Sequence, residues 1–251
     1  MPDYTLGIDL NRYRPGFDIE LAKQHGVRFV FTKATEVWGN GGTKWEDPTY
    51  SEYRDKTKAA GLPFGAFLYW RAGEDPELQV DWFFEICKKH IDLPPAVDVE
   101  RYNNVGVLSQ NDARDSLLQT AMLLEDVYNV PAILYTSWYS WFSLTGNYDL
   151  AGVLPIWVAN WTTHHTPLLP APAEEWEFWQ FTSAYPLPGQ PKTCDGNRYN
   201  GSEAEFKEYV KVNRAMMYPE ITPPPSNGNG NMLPIYIELE GKRYVGEVKS
   251  V

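Results

Sequence analysis

Two carboxylates one residue apart, Asp98 and Glu100, close the segment Pro94-Pro95-Ala96-Val97-Asp98-Val99-Glu100. Ala96, Val97 and Val99 give this stretch strand character, the proline pair marks its entry, and the polar run 101–104 ends it. Side chains at i and i+2 of a strand share a face, so both acids leave its C-terminal end side by side. Two carboxyls that close cannot both ionise freely, and one keeps its proton near neutral pH. A protonated carboxyl beside an ionised one is the pairing that glycosidic cleavage requires. A surface strand with an alternating acidic edge has the same D-x-E spelling, so the reading depends on what else the chain brings to that end.

Those acids need a frame, and the chain supplies one. Short apolar runs at 6–10, 29–35, 64–70, 96–100 and 132–136 read as strands, separated by helical patterns at 19–25, 48–60, 76–90 and 111–128. Gly26 and Gly61 stand where helix C-caps are expected, and Asp47-Pro48 supplies a helix start. After Thr136 the rhythm changes: 138–144 is a short helix at most, and strands at 156–161, 178–182 and 193–197 are joined by loops. Five βα units and three further strands make eight, the number at which a sheet closes on a filled interior. The expected fold class is α/β, a modified TIM-like barrel whose second half has few helices. Residues 203–217 read as a closing helix, giving a barrel domain over 1–217. A Pro/Gly/Asn linker over 218–231 and a small β-hairpin tail over 232–251 follow, the hairpin turning at Glu240-Gly241. A lone hairpin is marginal in water, so the tail is expected to dock, to self-associate or to stay partly unfolded.

In barrels of this type, functional side chains gather at the C-terminal ends of strands. Read that way, strand one brings Asp9, strand two Lys33 and Glu36, strand three Tyr69, strand four Asp98 and Glu100, and strand five Tyr135. Strand six adds Asn160 and Trp161, strand seven Trp179 and Gln180, and strand eight Asp195 and Asn197. Acids at the ends of strands one, four and eight, ringed by Trp and Tyr, outline a sugar-cleaving cleft. Other candidates are weaker. His164-His165 are adjacent and lack further ligands at metal-binding spacing, so no metal is expected. Gly39-Asn40-Gly41-Gly42 lacks the Lys and Ser/Thr of a phosphate cradle and reads as a flexible loop at the cleft rim. No G-x-S-x-G elbow occurs.

Bulk properties bound the partners. A formal charge of −11 over 251 residues argues against nucleic acid. No apolar run approaches the ~18 residues of a membrane span, and the start of the chain has no secretory pattern. Ten Trp and sixteen Tyr suit both a core and a cleft that stacks on sugar rings. Two cysteines, Cys87 and Cys194, establish neither a disulfide nor a metal site.

Residues 5 to about 210 resemble glycoside hydrolase family 25, the Chalaropsis-type lysozymes. The matching motifs run in order: Gly7-Ile8-Asp9, the segment 29–36, the segment 60–66, the segment 94–100, Leu134-Tyr135-Thr136, the segment 155–159, the segment 179–183 and Asp195-Gly196-Asn197. The resemblance implies an eight-stranded barrel and cleavage of the β-1,4 bond between N-acetylmuramic acid and N-acetylglucosamine in bacterial cell-wall peptidoglycan, with no cofactor. It maps the family's acids to Asp9, Asp98, Glu100 and Asp195. On that resemblance Glu100 is expected to be the general acid and base, and Asp98 to assist attack by the substrate's 2-acetamido group. Asp9 and Asp195 hold the charge balance. A second Asp as direct nucleophile or base is the rival assignment. Tyr69, Tyr135 and Trp161 are the expected sugar contacts. The chain departs from the family's D-x-S-x-[YF]-Q start at Asn11 and Arg14, and from its aromatic-His-aromatic third strand at Phe67-Leu68-Tyr69. Action on the cell wall follows, through phage-type release from the cytoplasm or as a trimmed secreted form. A chitinase-like glycosidase is an alternative, although the longer D-x-x-D-x-D-x-E run is absent; a non-catalytic glycan-binding barrel is another.

Overall fold

Two glycines and two phenylalanines interlock on the inner face of one side of the sheet. A Cβ on Gly7 would overlap the ring of Phe29, and one on Gly65 would overlap the ring of Phe31. The two glycines therefore make the space that the two rings fill. A computed structural model describes residues 4–39, 41–219, 232–239 and 242–249.

The strands are β1 (Thr5–Leu10), β2 (Phe29–Trp38), β3 (Thr43–Glu46), β4 (Phe64–Tyr69), β5 (Ala96–Val99), β6 (Ile133–Thr136), β7 (Ile156–Ala159), β8 (Phe178–Tyr185) and β9 (Cys194–Tyr199). The helices are α1 (Ile19–Gln24), α2 (Tyr50–Ala59), α3 (Pro76–Cys87), α4 (Gln110–Tyr128), α5 (Trp138–Thr145) and α6 (Glu203–Met217). The sheet order β1-β9-β8-β7-β6-β5-β4-β2 is closed by pairing of β1 with β2, with β3 added outside β2. Five strand–helix units followed by β7, β8 and β9 make the modified TIM-like barrel expected from the sequence.

Period-two alternation sorts the apolar residues into two layers. Phe29, Phe31, Phe67, Ala96, Ile133, Trp157 and Phe178 fill the barrel interior, and Phe206 of α6 packs against them. Ile8, Leu10 and Val30, on the other face, pack with Ala22, Val27 and Tyr53 under α1 and α2. Trp70, Trp141, Trp157 and Trp179 are fully buried, so much of the tryptophan content serves the core rather than an open sugar platform.

Two expectations need correction. Strand eight does not run with the others: β9 is antiparallel to both β8 and β1. Asp195 thus reaches the acid-bearing end of the barrel at the start of its strand, paired with Asp9, and not at a C-terminal end. The glycine-rich segment is not a plain loop, because β2 runs on to Trp38 and turns back as β3, with Gly39, Gly41 and Gly42 at positive φ. Asn40 lies outside the described residues.

The chain divides into two units, Met1–Met217 and Tyr218–Val251. The second contains β10 (Met232–Leu239) and β11 (Lys242–Lys249), an antiparallel pair in which Leu239 faces Lys242. Residues 220–231 of the expected linker and the turn at Glu240-Gly241 lie outside the described residues. Cys87 and Cys194 are both buried and unpaired with each other.

Candidate active site

Asp9 sits at the centre of a hydrogen-bond network that only inward-facing residues can reach. Its Oδ2 accepts from Asn197 Nδ2 (2.7 Å) and from Gln180 Nε2 (2.9 Å). Trp157 Nε1 donates to Asn197 Oδ1 at 2.8 Å, which orients that amide. Gln180 Oε1 accepts from Tyr135 OH (3.1 Å) and Trp161 Nε1 (2.9 Å), which orients the other. Five side chains from β1, β6, β7, β8 and β9, together with Trp161 just beyond β7, are locked into one arrangement. Burial pushes the Asp9 pKa up despite both amide donors.

Asp98, the penultimate residue of β5, lies beside Tyr69 on β4 and Tyr135 on β6. It is 6 % exposed, and its Oδ1 has no hydrogen-bond partner among the described residues. Burial, followed by the charge of Glu100, raises its pKa well above the ordinary carboxylate range, against the pull of Lys33. Glu100 is also raised, first by burial, while Lys33 pulls it down and Asp9 pushes it up. Asp195 is pushed up to about 8 by burial and then by Asp9. Four acids thus share a desolvated space in which they cannot all be ionised at neutral pH.

A cleft of about 500 Å³ opens over them, with Asp9, Asp98, Glu100 and Asp195 along it. Tyr69, Tyr135, Trp161, Lys33, Glu36 and Gln180 line the same cleft. Glu36 bridges Lys33 Nζ (2.5 Å) and Arg71 Nε (2.6 Å). An irregularity in β2 between Lys33 and Thr35 lets residues three apart both face the cleft, which strict alternation forbids. Tyr69 OH donates to the Tyr102 carbonyl at 2.8 Å.

The other two expected site residues fall elsewhere. Asn197 is fully buried behind Asp9 as its hydrogen-bond donor. Trp179 is also fully buried and does not line the cleft; its indole donates to the Asn160 carbonyl at 2.8 Å. Trp179 and Gln180 are consecutive in β8, so they point to opposite faces, and Gln180 takes the inner one. His164 and His165 are exposed.

Sequence reasoning missed Asn104, which is 1 % exposed. Its Nδ2 donates to the carbonyls of Trp70 (3.0 Å) and Glu100 (2.8 Å), and its Oδ1 accepts from Ala72 N–H (2.9 Å). One amide thereby ties the chain after β4 to the chain after β5 and holds the Glu100 backbone in place. A lone Asn in a polar loop gives no sequence signal for that role. Arg12, Tyr13, Arg71 and Tyr102 also line the cleft and were not singled out.

The family model of glycosyl hydrolases family 25 matches residues 8–190. The chain belongs to that family. This family 25 enzyme is a glycoside hydrolase of the lysozyme type, and the matched span carries Asp9, Asp98 and Glu100, ending before β9. It is 26% identical over 210 residues to Lysozyme M1 of Streptomyces globisporus, covering 80% of this chain and 69% of that protein. It is also 26% identical over 216 residues to an N,O-diacetylmuramidase of Arthroderma benhamiae, covering 82% and 86%. Among solved structures, a lysozyme from Streptomyces coelicolor has the same fold, with a TM-score of 0.74 at 23% identity over 83% of this chain and 98% of that one.

Proposed function

We propose that the enzyme hydrolyses peptidoglycan at the cell wall, cutting the β-1,4 bond between N-acetylmuramic acid and N-acetylglucosamine with net retention at C1. The observation that carries this reading is the Asp98 carboxyl: buried, raised in pKa, and with one oxygen unpartnered beside Glu100. An unpaired acceptor in a desolvated site is costly, and a substrate that brings an N–H donor removes that cost. The 2-acetamido group of the sugar is such a donor. Its hydrogen bond favours the ionised form of Asp98, and that charge in turn favours the protonated form of Glu100. Binding therefore moves the shared proton to where the reaction needs it.

Glu100 gives that proton to the glycosidic oxygen as the bond from C1 to the leaving sugar breaks. The acetamido carbonyl oxygen attacks C1 from the opposite face, forming an oxazolinium-type ring whose positive charge Asp98 offsets. Glu100, now a carboxylate, takes a proton from water as that water adds to C1 and the ring opens. Two inversions give retention and return Glu100 to its acid form. Asp9, held by Asn197 and Gln180, and Asp195 set the charge around this pair. The exposed Trp161 offers a ring face to the sugars, and Tyr69 and Tyr135, whose hydroxyls are held by the Tyr102 carbonyl and Gln180, line the cleft beside the acids.

Three readings separate in one comparison. A muramidase solubilises peptidoglycan and leaves chitin oligosaccharides largely intact, and its Glu100→Gln variant binds glycan without cutting it. Faster cleavage of chitin oligosaccharides makes the enzyme chitinase-like. Binding to peptidoglycan by the wild type without cleavage makes it a lectin-like barrel and refutes the proposal.

A further inference from the structure

One wall of the cleft alternates rings and cations. The Arg12 guanidinium lies 4.9 Å from the Tyr13 ring centre and 4.8 Å from that of Trp45. Lys33 Nζ lies 5.3 Å from Trp45 and 4.4 Å from Tyr69, and the Arg71 guanidinium lies 5.3 Å from Tyr69. Three cations are layered against three rings, and their charges are not equally spent. Glu36 is shared by Lys33 and Arg71. The Asp47 carboxylate is occupied by Thr49 N–H, Thr49 Oγ1 and the backbone N–H of Arg12. The Arg12 guanidinium donates to Tyr13 OH at 2.8 Å and, among the described residues, forms no ion pair with a carboxylate. It is solvent-exposed and lines the cleft.

A neutral polysaccharide gives such a group nothing that a hydroxyl could not bind. A guanidinium already held between two rings loses little further freedom on pairing, and its planar donors match a carboxylate. On a chain of net charge −11, a fixed cation at the cleft also offsets the repulsion an anionic polymer meets on approach. We infer that Arg12 selects glycans carrying a carboxylate near the scissile bond. The inference rests on the muramidase reading, since muramic acid bears a lactyl ether. That group's carboxyl is either free or amide-linked to a stem peptide with carboxylates of its own, so the same chemistry has two sources.

The test uses the full chain on four glycan preparations: strands stripped of peptide, strands with peptide intact, and each of these with carboxylates converted to methylamides. Wild type, Arg12→Gln and Arg12→Lys are compared by initial rates of new reducing ends. Wild type is expected to lose about tenfold in kcat/KM on blocking, through KM, as when one exposed charge-assisted contact is removed. The stripped strands report the lactyl group and the intact strands the peptide. Arg12→Gln is expected to lose the same factor on unblocked glycan and nothing further on blocked glycan. Arg12→Lys recovers part of the preference, which a folding defect does not do. Equal cleavage of blocked and unblocked strands by wild type, or wild-type discrimination by Arg12→Gln, overturns the inference while leaving a muramidase. Failure of wild type to release muramic acid reducing ends from any preparation overturns the muramidase reading and this inference with it.

Discussion

Asp195→Asn should make the protein more stable at pH 8 and less active. In the fold this carboxyl titrates near 8, against an ordinary value of 3.8, because burial and then Asp9 disfavour its charge. The native state therefore binds more protons than the unfolded chain between those two values, and stability falls as pH rises through that window. At about 1.36 kcal/mol per pKa unit the full shift sets an upper limit of roughly 5 kcal/mol at pH 8 and less than about 1 kcal/mol at pH 4. Asp195 is partly open to the cleft, so solvent screening reduces the pH 8 figure to about 2 kcal/mol. An uncharged amide of the same shape removes that cost. For a unit of this size, about 2 kcal/mol corresponds to about 4–8 °C in Tm. Thermal unfolding of wild type and variant at pH 4, 6 and 8 measures it directly. The difference should grow with pH and nearly vanish at pH 4, while muropeptide release drops at least about tenfold at every pH. An equal Tm difference at pH 4 and pH 8, or a variant less stable at pH 8, refutes the electrostatic account of the acid cluster.

Other outcomes follow from the same structure. Glu100→Gln should lower kcat by at least about 100-fold while glycan binding in a pull-down survives, as when a positioned general acid is removed; near wild-type turnover rules out its assigned role. Gly65→Ala puts a methyl into the Phe31 ring and should cost about 1–3 kcal/mol in urea unfolding, with Phe31→Leu in the same chain recovering part of it. Purely additive effects of the two changes contradict the packing argument. Deleting residues 221–251 should leave a cooperatively melting, active barrel, since the chain divides at Met217; a change in oligomeric state on gel filtration would instead make the tail an assembly element.

The sequence made the barrel legible because its first half obeys simple rules. Apolar runs alternate with amphipathic ones, and five strand–helix units follow at regular spacing. Asp9, Asp98 and Glu100 were legible for the same reason, because they stand where parallel strands end. The reversal of β9 was not, since a strand's direction depends on which neighbours it pairs with and leaves no mark in its own residues. Trp179 was assigned to the cleft although alternation allows only one of Trp179 and Gln180 there. Conversely, alternation alone would have separated Lys33 from Glu36, and the irregularity in β2 brings both to the cleft. The β2–β3 hairpin was hidden by glycines that read as a loose loop, yet their positive φ values make a tight return that carries Trp45 to the cation-bearing wall. Asn104 reaches across to Trp70 and Ala72, and Arg12 packs on Trp45, contacts far apart in the chain that local sequence does not reveal.

In the proposed reaction Glu100, beside a desolvated Asp98, cleaves the muramic acid side of the glycan. The most direct test digests Gram-positive peptidoglycan with wild type and Glu100→Gln, reduces new ends with borohydride and identifies the reduced sugars by mass spectrometry. Reduced N-acetylmuramic acid from the wild type alone is the predicted result. Reduced N-acetylglucosamine, or reduced muramic acid released equally by both proteins, contradicts it.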